Sequence, residues 1–342
     1  MIYDMRKKLL SISIAAYNVS ETLDECLEHF LACKNIDDIE VLVIDDGSGD
    51  DTCSIAKKYV KKRPDSIKLI SKKNGGWGST VNKGIELATG RFFRQLDGDD
   101  YYDSKNLDRF VDYLRDCTSD LVVSPFCHFA NDTGAITGFF GIDRNYIPKE
   151  EITLDETNLF YPPAMHSMTV KTSILKKENI RITEHCFYTD VEFVLKSLNH
   201  AKTISFFDLP IYYYRLGRDG QSMSISGVRK HYGDHQKMLL GMYNYAYKEA
   251  TSDNMRQIML RRLIDATMYQ YKMYMSLRPN SRHRKEFADF DKKLKNVALE
   301  CYNENYGAPV RYFRNHNFRF YGVISMLKNK QDKNHEVFLY EK

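Results

Sequence analysis

Between residues 9 and 124 the chain alternates short, almost wholly apolar runs with longer stretches in which apolar residues recur at helical spacing. Residues 9–16, LLSISIAA, and 39–44, IEVLVI, are apolar or small at nearly every position. That is the pattern of strands buried on both faces of a parallel sheet, not the alternation of a half-exposed strand. Shorter runs of the same kind fall at 67–71, 92–96 and 121–124. The stretches between them predict helices. Ser20 can cap the first, with Leu23, Leu27, Phe30 and Leu31 on one face. The others run over 51–62, with Ile55, Ala56, Tyr59 and Val60 facing inward, then over 79–88 and 105–117. Strand and helix alternating at this spacing predicts right-handed crossovers and an α/β fold with a Rossmann-like, mostly parallel, doubly wound sheet.

Further on, residues 126–140 read as a hairpin around Asn131-Asp132-Thr133-Gly134, residues 165–171 as a strand, 172–178 as a short helix and 188–200 as a longer one. Two more strands, 203–207 and 211–215, flank Asp208-Leu209-Pro210. From Val228 the pattern turns helical, with Met-, Tyr- and Leu-rich amphipathic stretches at 228–249, 253–277 and 284–304 whose stripes are core rather than ligand boxes. The expected division is an α/β domain over 1–226, with halves 1–103 and 104–226, followed by a mainly helical region over 227–342.

Composition adds little until it is resolved along the chain. With 342 residues and 43% hydrophobic content, a sizeable core can form. The net charge of +4 is uneven: residues 256–342 hold 18 Lys and Arg against 9 Asp and Glu, which leaves 32 against 37 elsewhere. A basic C-terminal quarter on a mildly acidic body suits a solvated helical surface, an anionic lipid surface, a polyanionic acceptor or self-association, and nucleic acid is not an expected partner. The seven cysteines show no CxxC spacing and read as reduced thiols. No apolar run approaches the ~20 residues needed to cross a bilayer, and the first residues lack a signal-peptide apolar region. The chain is therefore expected in the cytoplasm, or peripheral at the inner face of the membrane.

Candidate chemistry gathers where strands end. Ligands of doubly wound sheets bind beyond the carboxyl ends of the strands. Those ends carry Tyr17-Asn18, then Asp45-Asp46-Gly47-Ser48, then the loop Lys72-Lys73-Asn74-Gly75-Gly76-Trp77-Gly78, then Asp97-Gly98-Asp99-Asp100. Three carboxylates within four residues repel one another, so a fold that gathers them supplies a cation; the competing reading is an acidic solvated turn.

In their order and spacing, SISIAAYN, VLVIDDGSGDDT, NGGWGSTVNKGIELATG and FFRQLDGDD resemble the nucleotide-sugar domain of family 2 glycosyltransferases, the inverting enzymes with the GT-A fold, over residues 9–226. The resemblance implies a hexosyl- or N-acetylhexosaminyltransferase of the bacterial surface-polysaccharide or teichoic-acid type. It would take a UDP-sugar donor, a glycan or polyol-phosphate acceptor and a divalent metal, Mn²⁺ or Mg²⁺. It further implies that Ala16, Tyr17 and Asn18 lie against the uracil and ribose, and that Asp46 accepts from the uracil N–H. Lys73, Asn74, Gly75, Gly76 and Asn82 would close over the nucleotide, and Asp97, Gly98 and Asp99 would form the Asp-x-Asp site for the nucleotide and the metal. Arg215 or Arg218, with Ser222, would border the diphosphate.

Inversion needs a base for the acceptor hydroxyl. By the same resemblance Asp190 fills that place, although Thr189 stands where the family commonly has Glu; the local pattern also suits Asp190 as a helix N-cap. Glu192 is the reserve base, and His166 is a candidate on the acceptor side. A nucleotidyltransferase is the competing enzyme class, but it would carry a glycine-rich basic loop after the first strand, where Ala-Ala-Tyr-Asn stands. A non-catalytic sugar- or polyanion-binding module is the third reading, and the intact Asp97, Asp99 and Asp190 oppose it.

Overall fold

The structure is a computed structural model and describes residues 8–141, 150–154, 159, 161–217 and 224–332. The chain begins with β1 (Leu10–Ala16), α1 (Leu23–Leu31), β2 (Ile39–Asp45), α2 (Thr52–Lys62), β3 (Ile67–Ser71), α3 (Trp77–Leu87) and β4 (Phe92–Asp97). It continues through β5 (Tyr101–Tyr102), α4 (Ser104–Asp116), β6 (Leu121–Val123), β7 (Phe126–Ala130), β8 (Ile136–Phe140), β9 (Ile152–Thr153), β10 (Met168–Lys171), α5 (Thr172–Lys177), α6 (Asp190–His200), β11 (Thr203–Phe206) and β12 (Tyr212–Leu216). The helices α7 (Ile225–Glu249), α8 (Asp253–Ser276), α9 (Ser281–Val297), α10 (Leu299–Tyr302), α11 (Gly307–Asn315) and α12 (Tyr321–Asp332) complete it. Two compact units result, residues 1–216 and 217–342, divided ahead of the boundary expected near Ser226.

An eight-stranded sheet in the order β3-β2-β1-β4-β10-β6-β11-β9 forms the first unit's spine. The four strands read as continuous apolar runs, β3, β2, β1 and β4, pair in parallel. β10 enters antiparallel between β4 and β6, and β9 lies antiparallel on β11 at the edge. Ile12, Ile14, Val41 and Val43 are fully buried and share one core with Leu27 and Phe30 of α1 and Ala56 and Tyr59 of α2. Glu40 is buried in that sheet and satisfied: it accepts from the Ser11 hydroxyl at 2.7 Å, Lys68 Nζ at 2.8 Å and the Thr89 N–H at 2.8 Å. A second sheet, β5-β12-β7-β8, carries the expected hairpin.

Several boundaries move for local reasons. α1 starts at Leu23, with Thr22 rather than Ser20 at the cap position, and the Ser20 N–H donates instead to Asp50 Oδ2 at 3.0 Å. α3 starts at Trp77, two residues early. Residues 165–167 make one 3₁₀ turn, and only 168–171 pair as a strand. The short strands β5 and β9 have too few residues to show a period.

α3 lies so close to β1 that a Cβ on Gly84 would come within 2.2 Å of Ser13 Oγ. Gly84→Ala should therefore destabilise the protein by about 1–3 kcal/mol, as expected of an overpacked contact. The check is urea unfolding, with a lower midpoint and an unchanged slope.

Candidate active site

Sheet register sets the polar turns side by side. Ala16 pairs with Asp45 and Ala15 with Asp97, so β2, β1 and β4 end at the same level. Beyond them the chain turns at Asn18, whose φ of 52° lies in the left-handed region that asparagine tolerates. Its side-chain carbonyl accepts the Gly49 N–H at 2.8 Å, and its own N–H donates to Ser48 Oγ at 3.0 Å. The first loop and the Asp-Asp-Gly-Ser turn are thereby clasped, and Tyr17, 52% exposed, presents its ring at this edge. Ala16 itself is buried, and its carbonyl accepts the Asp46 N–H at 2.8 Å.

Asp46 is 2% exposed and organises the glycine loop. It accepts the Gly75 N–H at 2.9 Å and the Gly76 N–H at 2.8 Å, and the same carboxylate pairs with the Lys72 ammonium and receives the Ser79 hydroxyl at 3.3 Å. Asn74 donates its amide to the Asp46 carbonyl at 3.0 Å. Gly76 has φ 80°, and a Cβ on Gly75 would stand 2.7 Å from Ser79 Oγ, so this wrap needs glycine at both positions. The cation is Lys72, while Lys73 is exposed.

A second segment leans on that loop. The His185 N–H donates to the Gly75 carbonyl at 2.6 Å. Asn82 accepts from the Ile182 N–H at 2.8 Å and donates to the Ile182 carbonyl at 2.9 Å and to Glu184 at 3.1 Å, so its amide is engaged with this segment. Glu192, 3% exposed, accepts the Thr183 N–H at 3.0 Å, the Thr183 hydroxyl at 3.1 Å and Lys196 Nζ at 2.8 Å. Within this segment His185 and Tyr188 have φ of 51° and 63°; such left-handed backbone costs a residue bearing a side chain roughly 1–2 kcal/mol. Asp190 follows as the first residue of α6, after Thr189 at the cap position, so it is not the N-cap. Its charge reaches both Asp97 and Tyr214.

The acidic turn is fastened from two sides. Trp77 donates its indole N–H to Asp97 Oδ1 at 2.7 Å, and the Gly98 N–H donates to the Ala15 carbonyl at 2.9 Å. Asp100 is 1% exposed, with the Tyr212 hydroxyl donating to one oxygen and the Arg215 N–H to the other at 2.7 Å. Arg215, 6% exposed, directs its guanidinium to the Asp99 carbonyl at 2.7 Å and to Asn131 at 3.1 Å, and pairs with Glu25. It thus braces the turn. Arg218 and Ser222 lie outside the described residues.

Crowding shows in the carboxyls. Asp97 keeps some surface open to solvent, yet dense packing around it, and then the charge of Asp99, push its carboxyl up to about 7; Asp190 adds to this and the Trp77 bond opposes it. Burial, then Asp99 and Asp97, raise Asp100 well above the usual carboxylate range. His166 is packed against the rings of Phe126, Tyr212 and Tyr214. Burial, then His128 and Arg94, bring it down to about 3, so its imidazole is neutral near pH 7.

Ligand atoms of Asp97, Asp100 and His166 lie within 4.8 Å of one another, a set that shares Asp97 with the expected pair Asp97 and Asp99. Carboxylate oxygens with a neutral imidazole suit a divalent ion of the Mn²⁺ or Mg²⁺ kind, and a dication would offset the burial and mutual repulsion that otherwise hold protons on these carboxyls. The donor set fits such an ion. Lys72 and Trp77 read in the sequence only as members of the glycine loop, and the contact of Tyr212 with the acidic turn is not read there at all. Only Trp77 carried a usable signal, as a lone aromatic donor within a glycine loop.

Residues 11–175 match the family model described as Glycosyl transferase family 2. The glycosyltransferase EpsJ of Bacillus subtilis is 27% identical over 60% of this chain and 61% of its own length. A poly(ribitol-phosphate) beta-glucosyltransferase of Bacillus spizizenii is 25% identical over 75% of this chain and 40% of its own length. The chain thus spans about three fifths or less of these relatives. Among solved structures, the S. aureus TarS 1-349 fragment in complex with UDP-GlcNAc covers 95% of this chain and 90% of its own, with a TM-score of 0.58 and 18% identity. The fold is the GT-A arrangement with a helical C-terminal region.

Asp97 gains its proton near pH 7 in the folded protein against 3.8 for a free carboxyl, so without metal the folded state binds more protons than the unfolded one between those values. Its contribution to stability therefore falls as pH rises through that window. A dication that displaces the proton should raise the melting temperature more at about pH 8 than at about pH 6. Thermal unfolding with MnCl₂ or MgCl₂ against a chelator checks this.

Proposed function

We propose, for a chain whose residues 11–175 match the Glycosyl transferase family 2 model, that it transfers a sugar from a UDP-sugar to a hydroxyl of a saccharide or polyol-phosphate acceptor in surface glycan synthesis, with inversion at the anomeric carbon. One observation carries the reading: register across β2, β1 and β4 places Tyr17, the Asp46-held glycine loop and Asp97 at one edge, with the charge of Asp190 acting on Asp97. The likeness to a poly(ribitol-phosphate) beta-glucosyltransferase, and to a TarS fragment solved with UDP-GlcNAc, supports the polyol-phosphate acceptor and the UDP-linked hexose or N-acetylhexosamine donor.

In this reading the exposed Tyr17 ring stacks on the uracil. Asp46 acts through the glycine loop, whose shape it sets. The loop opens α3, and a helix N-terminus favours phosphate. Asp97 and Asp99, with Asp100 and His166 beside them, would hold a divalent ion, whose charge would stabilise the leaving diphosphate. Asp190 accepts the acceptor hydroxyl's proton as that oxygen bonds to the anomeric carbon and the bond to UDP breaks. Arg215 holds the acidic turn in place through the Asp99 carbonyl and the Asp100 carboxylate.

A panel of UDP-sugars assayed for UDP release with Mn²⁺, Mg²⁺ or chelator should show metal-dependent turnover with one or two donors; equal turnover in chelator would remove the metal from the mechanism. Asp190→Asn should lower turnover by roughly 10²–10⁴-fold, the usual contribution of a positioned base, while UDP binding stays near that of the parent. A variant that keeps its turnover would instead move the base elsewhere.

A further inference from the structure

The last two helices of the second unit are turned the wrong way out for a face in water. On α12 the buried side chains include Tyr321 and Ser325, whose hydroxyls donate to the carbonyls of Tyr274, at 2.9 Å, and Leu277, at the end of α8. The stripe Phe320, Val323, Ile324 and Leu327 follows the i, i+3, i+4, i+7 spacing of a single helix face. Val323, Met326 and Leu327 are 54%, 53% and 59% exposed. α11 extends the apolar surface: Ala308, Pro309 and Tyr312 join Phe320, Val323 and Ile324 around a cavity of about 440 Å³.

The chain along this face is mostly basic, although α12 ends at Asp332 and Glu286 lies near Tyr321. From Asn305 to Gln331 the chain has no Asp or Glu and carries Arg311, Arg314, Arg319, Lys328 and Lys330. Arg314 is turned inward, paired with Asp291 at 2.9 Å, whereas Arg311 and Arg319 are exposed. A two-fold contact between copies would set this basic rim against itself, and like charges across an interface oppose association. An anionic bilayer satisfies both features, since apolar side chains enter the acyl boundary while guanidinium groups meet lipid phosphates. No helix among the described residues is long and apolar enough to cross a membrane. Docking in the interface plane is therefore the fitting mode.

We propose that the α11–α12 face docks this protein on an anionic lipid surface, with Phe320, Val323, Met326 and Leu327 entering the acyl boundary and Arg311 and Arg319 at the phosphates. The inference stands apart from the transfer reading. The test is flotation of the whole chain with phosphatidylcholine vesicles, with and without phosphatidylglycerol, at low and raised salt. Binding should require phosphatidylglycerol and weaken with salt. The double variant Val323→Ser, Leu327→Ser should lose affinity by about tenfold or more, on the scale of two buried aliphatic side chains. Arg311→Ala with Arg319→Ala should flatten the salt dependence. All four positions face outward, so unfolding midpoints should hold. UDP release to a soluble acceptor should also hold, which separates failed docking from failed transfer. Equal binding to both vesicle types overturns the proposal, as does full binding by the serine variant. Sedimentation that shows a lipid-free dimer dissociated by the serine pair overturns it too.

Discussion

Carboxylate repulsion at the end of β4 is the constraint around which the first unit is arranged. Asp97, Asp99 and Asp100 cannot all be charged and buried without donors or a cation, and the chain supplies donors unequally. Asp100 receives the Tyr212 hydroxyl and the Arg215 N–H, both from β12, whereas Asp97 receives the Trp77 indole N–H. One carboxylate is thus built into the framework, and the other is left with capacity to spare. β12 pairs with β5, the two residues immediately after the turn, so the strand that braces the acidic residues also fixes the chain leaving them.

A second consequence follows from Asp46. Its carboxylate fixes Gly75 and Gly76, the Gly75 carbonyl receives His185, and Asn82 grips Ile182 and Glu184. Lys196 donates to the Arg181 carbonyl at 2.8 Å while pairing with Glu192, so α6 closes the same circuit. The loop proposed to receive the donor and the residue proposed as base are thereby parts of one hydrogen-bonded body. The buried links in this circuit are Asp46, Gly75, Asn82, Ile182 and Glu192, whereas Glu184 and His185 lie at its exposed edge.

How much of this was legible follows from the range of each signal. β1 and β2 were readable because burial on both faces leaves a run of apolar or small residues, β4 because Phe92, Phe93 and Leu96 frame its buried Arg94 and Gln95, and their parallel order then set which turns meet. Partners across long sequence separations were not readable. Nothing around Tyr212 or Arg215 indicates an aspartate more than a hundred positions earlier, and a Tyr-Tyr-Tyr-Arg strand reads the same whether its hydroxyls face solvent or a carboxylate. Lys72 and Lys73 differ in sequence by a single step. Lys72 comes directly after β3, and its N–H donates to the Asp45 carbonyl at 2.9 Å, extending the ladder beside Asp46. That register decides which lysine turns inward, and no local pattern encodes it.

The asymmetry between Asp97 and Asp100 also bears on how a metal can enter and leave. If all three carboxylates were anchored like Asp100, the turn would be rigid but would have little coordination capacity; if none were, repulsion would open it. Asp100 is anchored at both oxygens, while burial and the charge of Asp99 leave the Asp97 carboxyl at about 7, where a proposed dication would compete with its proton. His166, held neutral by its aromatic surroundings, adds a donor atom without adding a charge that would repel a dication. The bracing from β12 therefore falls on Asp100, and Asp97 keeps, among the described residues, only the Trp77 indole as its side-chain donor.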